Sequence, residues 1–182
     1  MQKQFKKIKK RYDEFYDHLL KNGMLPMMET SKGFWGAAVT DEIFELFKKI
    51  DLSKFNHLLD LGSGDGKIVL IATLFGIKAT GFECDKWLVD NSLNIQKSLS
   101  NISNINNARF IHKDFHEHDI KDYDVIFLNP DKPLHRGLEK KLLEDMNGKL
   151  ILYGPHFHPV ELKKDETFNI NGTEIATYRK AI

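Results

Sequence analysis

Residues 58–66 read Leu58-Leu59-Asp60-Leu61-Gly62-Ser63-Gly64-Asp65-Gly66, an apolar run that ends in a turn with three glycines. The next residues, Lys67 to Phe75, are almost wholly apolar and read as a buried helix. Strand, glycine turn and helix in that order let a ligand press against bare backbone, with the amides after the turn open to polar groups. A P-loop is excluded, because no glycine stands five residues before Gly66 and no Ser or Thr follows Lys67. The dinucleotide fingerprint fits poorly, since Gly66 falls two residues after Gly64 instead of three. Asp60, an acid at the strand end, would repel a pyrophosphate and suits a cationic ligand.

On either side of this turn, apolar strands alternate with helical patterns. Strands are expected at His57–Leu61, Lys78–Phe82, Arg109–His112, Val125–Leu128 and Leu150–Tyr153. Helices are expected from Thr40-Asp41 onward, over Lys67–Phe75, from Lys86 to about Leu99, and around Leu138–Met146. Ser100–Asn107 reads as a loop, and Gly33 to Gly36 as an irregular connector. Two closing segments around Thr167–Ile170 and Glu174–Tyr178 meet at Asn171-Gly172, a hairpin signal. The pattern predicts an α/β fold with a mostly parallel sheet and a C-terminal antiparallel hairpin. Ligands of such sheets sit outside the carboxyl ends of the strands.

The chain has 182 residues, 41% hydrophobic and 29% charged, with a formal net charge of +1. That composition excludes a disordered tail and provides for a real core. One cysteine, Cys84, excludes a disulfide framework and points to a reducing, cytoplasmic setting. No apolar run has the length of a membrane helix, and no secretory signal is read at the start. Lys3, Lys6, Lys7, Lys9, Lys10 and Arg11 precede the first acid, Asp13, while Phe5, Ile8, Tyr12, Phe15, Leu19 and Leu20 recur at helical spacing. The expected element is an amphipathic helix whose basic face is either solvated or set against nucleic acid phosphates.

The stretch Leu59 to Gly66 resembles the first motif of class I S-adenosylmethionine-dependent methyltransferases, and the similarity runs from about Gly33 to the C-terminus. The resemblance implies a three-layer α/β/α Rossmann-like sandwich built on a seven-stranded sheet. It implies S-adenosylmethionine as cofactor and S-adenosylhomocysteine as product. Residues 1–30 are then a basic helix and connector, and residues 31–182 the methyltransferase domain. By the family pattern Asp60 lies near the cofactor's amino-acid part, with Gly62, Ser63, Gly64 and Gly66 against its methionine portion. Glu83, ending the second strand, would hold both ribose hydroxyls through its two oxygens. Cys84 lies beside it as a small thiol. Asp114, after the third strand, matches the acid that receives the adenine amino group, and Phe115 would line the adenine pocket.

The fourth strand ends Phe127-Leu128-Asn129-Pro130-Asp131-Lys132-Pro133, which resembles the Asn-Pro-Pro-aromatic motif of methyltransferases acting on amino groups. Asn129 and Pro130 match, while Asp131 and Lys132 replace the second proline and the aromatic. Asn129 would orient the target nitrogen beside the cofactor, and Asp131 would hold and help deprotonate a substrate ammonium. Trp35 to Thr40 and Tyr153 to Phe157 are similar to small archaeal-type protein-lysine methyltransferases. His156 and His158 are candidate bases that more often lie on a surface. The spacing of His112, Asp114, His116 and His118 lacks a metal-binding pattern, so no metal is expected.

The expected activity is methyl transfer to a nitrogen of a macromolecule, either a protein amine or an RNA base, by a monomer or small homo-oligomer. A non-catalytic cofactor-binding partner, a metabolite methyltransferase and a nicotinamide-dependent oxidoreductase are the alternatives.

Overall fold

A computed structural model of the chain describes residues 1–134 and 137–181. Seven strands form one sheet: β3 (His57–Leu61), β4 (Lys78–Glu83), β5 (Ala108–His112), β6 (Val125–Leu128), β7 (Lys149–Tyr153), β8 (Lys163–Ile170) and β9 (Thr173–Arg179). Their order is β5-β4-β3-β6-β7-β9-β8. β3 to β7 pair in parallel, while β9 runs antiparallel to both β7 and β8. The closing hairpin turns at Asn171-Gly172, both with positive φ, as the sequence predicts.

The central strands read as near-continuous apolar runs because both of their faces are buried. Alternate residues serve opposite layers. Leu58, Val125, Phe127 and Ile151 face one core, and Leu59, Ile126, Leu128, Leu150 and Leu152 the other. The first core is roofed by α2 (Thr40–Lys49), α3 (Lys67–Thr73) and α4 (Lys86–Ser98), the second by α5 (Leu138–Asp145). This is the expected three-layer sandwich. The expected loop Ser100–Asn107 includes a short 3-10 turn at Ile105–Asn107.

The N-terminal helix α1 (Gln2–Lys21) packs into the first core through Phe5, Ile8, Tyr12, Phe15 and Leu19. Phe5 stacks on Phe44 of α2 with ring centroids 3.9 Å apart. Each such buried side chain is worth about 1.5–3 kcal/mol. Leu20, assigned to the apolar face by spacing, instead points to solvent at 52% exposure, because it lies one position past the stripe that Leu19 ends. On the basic side Lys9 pairs with Asp41 of α2 at 3.0 Å, and the Arg11 guanidinium donates to Ser98 of α4. Lys3, Lys6 and Lys7 are exposed.

The connector is not irregular. β1 (Met27–Glu29) and β2 (Phe34–Gly36) pair as an antiparallel hairpin. Thr30 closes it: its N–H and hydroxyl both donate to the Gly33 carbonyl, at 2.7 and 2.8 Å.

Candidate active site

The strand order reverses between β3 and β6, and a cleft opens at their carboxyl ends, the topological switch point of such sheets. Asp60, Gly62, Ser63, Gly64, Glu83, Cys84, Asp114, Phe115, Asn129 and Asp131 all line it, brought together from four successive strand ends. The hairpin contributes Thr30 and Lys32 to Gly36 to the lining. Gly66 does not line the cleft. It stands behind, with φ +77°, where an added Cβ would fall 2.5 Å from Phe110 and 2.7 Å from Ser92. Its bareness lets α3 close on α4 and the sheet.

Asp60 is 1% exposed, and its Oδ2 has no hydrogen-bond partner among the described residues. Burial first, then the charges of Glu83 and Asp65, push its carboxyl well above the usual range. A neighbouring buried atom, the Ser63 Oγ, is also unpartnered. Glu83 is fixed by two backbone donors: Gly64 N–H to Oε2 at 2.9 Å and Asp85 N–H to Oε1 at 2.8 Å. A carboxylate has about four acceptor positions, so both oxygens keep capacity for hydroxyls. Asp85 caps α4 by accepting from Leu88 N–H at 3.0 Å, which holds the end of β4 in place.

Cys84 is half-buried, and burial followed by the Glu83 charge pushes its thiol up to about 11, so it stays protonated at neutral pH. Asp114 is pushed up by its burial, but the His116 backbone N–H, the His116 charge and the Lys32 ammonium together pull it below the usual range. Lys32, in the hairpin turn, lies 3.4 Å from Asp114. The same turn reaches the β6 loop: Phe34 N–H donates to Asp131 Oδ2 at 2.7 Å, and Lys132 Nζ donates to the Lys32 carbonyl. Asn129 is exposed on that loop at the mouth of the cleft.

Three residues of the cleft were not among the expected site residues. Trp35 is buried against Gly64, whose φ of +53° and missing Cβ let the indole in; a Cβ there would fall 2.4 Å from the ring. Phe34 lines the cleft and is half-exposed beside Asp131. Lys67 is buried at 2% exposure, a rare place for a lysine. An isolated lysine after a glycine turn carries no signal beyond the P-loop test it fails, and the hairpin that carries Trp35 was not foreseen. His156 and His158 do not line the cleft; His158 is engaged with the Tyr178 hydroxyl and the Pro155 carbonyl. Among the described residues, no group of His, Cys, Asp and Glu is arranged to hold a metal ion. Among the same residues, no helix is long and apolar enough to cross a membrane.

This sheet order, with a glycine turn and an acidic cleft at its switch point, defines a class I S-adenosylmethionine-dependent methyltransferase. The chain belongs to the family described as Histone methylation protein DOT1, whose sequence model matches residues 27–171. It is an enzyme of methyl transfer with S-adenosylmethionine as its cofactor. The fold is similar to an RNA methyltransferase from Salinibacter ruber solved with S-adenosyl-L-homocysteine, at 23% identity and TM-score 0.66, covering 78% of this chain and 92% of that one. It is also similar to the Pyrococcus abyssi tRNA (uracil-54, C5)-methyltransferase, at 16% identity and TM-score 0.64 over 80% of this chain but only 45% of that one. The magnesium protoporphyrin IX methyltransferase of Synechocystis follows at 14% identity and TM-score 0.62, with 78% and 77% covered. A comparison with curated proteins finds no match.

Proposed function

We propose that this enzyme methylates a nitrogen of a macromolecule, and that the nitrogen is a protein side-chain amine. The observation that carries the reading is the Asp131 carboxylate, held at the cleft mouth by Phe34 N–H next to Asn129. An acid there suits an amine that arrives protonated. The family's own description, a histone methylation protein, supports the same acceptor class.

The residues present fit the cofactor. Glu83 has free acceptor capacity for ribose hydroxyls, and Asp114 stands at the next strand end for the adenine amino group, with Phe115 beside it. Asp60, buried with an orphaned oxygen, suits the cationic amino-acid end, and Gly62 and Gly64 leave room beside it. Ser63 offers an unpartnered hydroxyl on the same wall.

When bound, the cofactor supplies a methyl group on a positively charged sulfur, already activated for attack. What is asked of this chain is alignment and handling of one proton. Asn129, which lines the cleft mouth, would orient the amine nitrogen toward the bound cofactor. Asp131 holds the ammonium and then accepts its proton, freeing the lone pair for attack.

An RNA base is the second reading. Lys3, Lys6 and Lys7 are exposed along α1, and RNA methyltransferases share the fold. Tritiated S-adenosylmethionine with the purified protein and a lysate from its source separates the two. Label removed by protease supports the protein amine, and label removed by ribonuclease supports RNA. No label above a Glu83→Ala control overturns both.

A further inference from the structure

The turn of the β1–β2 hairpin touches both sides of the cleft. On one side lies the loop after β6: Lys132 Nζ donates to the Lys32 carbonyl, and Phe34 N–H donates to Asp131 Oδ2 at 2.7 Å. Gly33 makes this approach possible, since a Cβ there would fall 2.8 Å from Asp131 Oδ2. On the other side lies the loop after β5, where the Lys32 ammonium stands 3.4 Å from Asp114 Oδ2. In the sheet order β3 and β4 lie between β5 and β6, so the two loops are three strand spacings apart, roughly 14 Å. The turn thus spans the ends of the two strands that carry Asp60 and Glu83.

Its backbone is fixed, and the Lys32 side chain is not. Thr30 closes the turn through its N–H and hydroxyl, both on the Gly33 carbonyl, and Lys132 secures the Lys32 carbonyl. The Lys32 side chain is 51% exposed and that of Asp114 20%, so water reaches the ion pair and it opens at small cost. The other oxygen of Asp114, Oδ1, accepts the His116 N–H at 3.0 Å and caps the short helical turn Phe115–Glu117. Oδ2 is therefore the oxygen left for a ligand, and Lys32 is on it. Both residues line the cleft.

We infer that Lys32 is a displaceable latch, holding the hairpin turn across the empty cleft until adenine takes Asp114 Oδ2 from it. The inference rests on the cofactor reading above, in which Asp114 receives the adenine amino group. Ammonium and amino group donate to the same oxygen, and the ligand has to pass the turn to reach it. The released ammonium swings to solvent, which its place at the tip of the turn allows, while the tie between Phe34 and Asp131 stays closed. Entry is thereby opposed at the adenine end and not at the acceptor end. Two three-residue strands hold little structure by themselves, and the latch gives the empty protein a fixed turn.

Calorimetric titration with 5′-methylthioadenosine, which has adenine and ribose but no ionised group, and with S-adenosylhomocysteine tests this. Lys32→Gln keeps the carbonyl for Lys132 and removes the charge. It binds both ligands about two- to fivefold more tightly than wild type, the value of a partly exposed ion pair. Raising the salt from about 0.05 to about 0.5 M screens the pair, so wild type gains affinity for 5′-methylthioadenosine and Lys32→Gln gains none. Lys32→Arg behaves as wild type. Weaker or unchanged binding by Lys32→Gln overturns the inference, as does a salt response that variant and wild type share. Failure of the wild-type protein to bind either ligand overturns the cofactor reading itself.

Discussion

The backbone N–H of Phe34 donates to the Asp131 carboxylate at 2.7 Å, so the hairpin and the loop after β6 are tied across the cleft mouth. The bond occupies one oxygen and aims the other. The acid proposed to serve the acceptor amine therefore also holds the hairpin across the cleft mouth.

Those two duties separate by substitution. Asp131→Asn keeps an oxygen for Phe34 N–H but cannot take a proton, so kcat falls about 100-fold, as for a lost general base. Its affinity for S-adenosylhomocysteine stays within about threefold, since positioning is retained. Asp131→Ala loses the tie too, and weakens cofactor binding as well as turnover. Single-turnover rates beside calorimetric affinities distinguish the variants; equal kcat in wild type and Asp131→Asn refutes the proton-accepting role.

Glu83 is held by Gly64 and Asp85 N–H groups before any ligand arrives. The ribose contact proposed for it would thus be preorganised, and Glu83→Ala is expected to cost about 1–3 kcal/mol of cofactor affinity, the cost of leaving buried hydrogen-bonding groups unsatisfied. Titration with S-adenosylhomocysteine reads this as a loss of roughly 5- to 150-fold. Wild-type affinity in the variant would place the ribose elsewhere.

Asp60 is a stability liability in the empty protein. Its carboxyl is raised above the ordinary value of 3.8 by burial and by two neighbouring acids. The folded state therefore holds a proton that the unfolded state has released. As pH rises above 3.8 toward the folded value, this group subtracts stability; below 3.8 the penalty vanishes. Asp60→Asn removes it, so the variant melts higher than wild type at pH 7, by about 2–4 °C per kcal/mol relieved. The difference between the two melting curves shrinks as the solution is acidified, while cofactor affinity in the variant falls. A lower melting temperature for Asp60→Asn at pH 7 would refute the penalty.

Gly64→Ala is expected to disturb the site more than its size implies. The new methyl meets the Trp35 ring at 2.4 Å from a backbone held at φ +53°. Overpacking of this kind costs about 1–3 kcal/mol. The indole must leave its seat, and the hairpin with it, so the variant shows increased Trp exposure by fluorescence quenching together with weaker cofactor binding. Unchanged fluorescence would mean the indole does not rest on Gly64.

The sheet was legible because buried parallel strands advertise themselves. Leu58-Leu59 and Val125 to Leu128 have to be apolar on both faces, and the polar residues that follow, Asp60 and Asn129, mark where the strands end. Asp60, Glu83, Asp114 and Asn129 were therefore locatable by position as well as by type. The β1–β2 hairpin was not, since three-residue strands with mixed burial have no period to read, and its closure depends on one threonine. Lys67 was hidden for a different reason. Nothing local distinguishes a lysine in solvent from one enclosed by Tyr12 and Tyr16, which come from fifty residues earlier in the chain. Leu20 shows the same limit at finer scale, where a step of one residue moves a side chain off the stripe.

The tie between Tyr16 and Asp65 spans 49 residues. During synthesis α1 is made well before α2 and α3, the helices that bury its apolar face. At about 5–20 residues per second, roughly 2–10 s pass between Tyr16 and Asp65 leaving the ribosome's catalytic centre. Until α3 and α4 follow, Tyr12 and Phe15 lack the groups they meet in the fold, Asp65 and Trp87, while six basic residues precede Asp13 on the same segment. Charges flanking an uncovered apolar stripe disfavour aggregation, so the basic side of α1 is expected to serve the chain while it is being made as well as after it has folded.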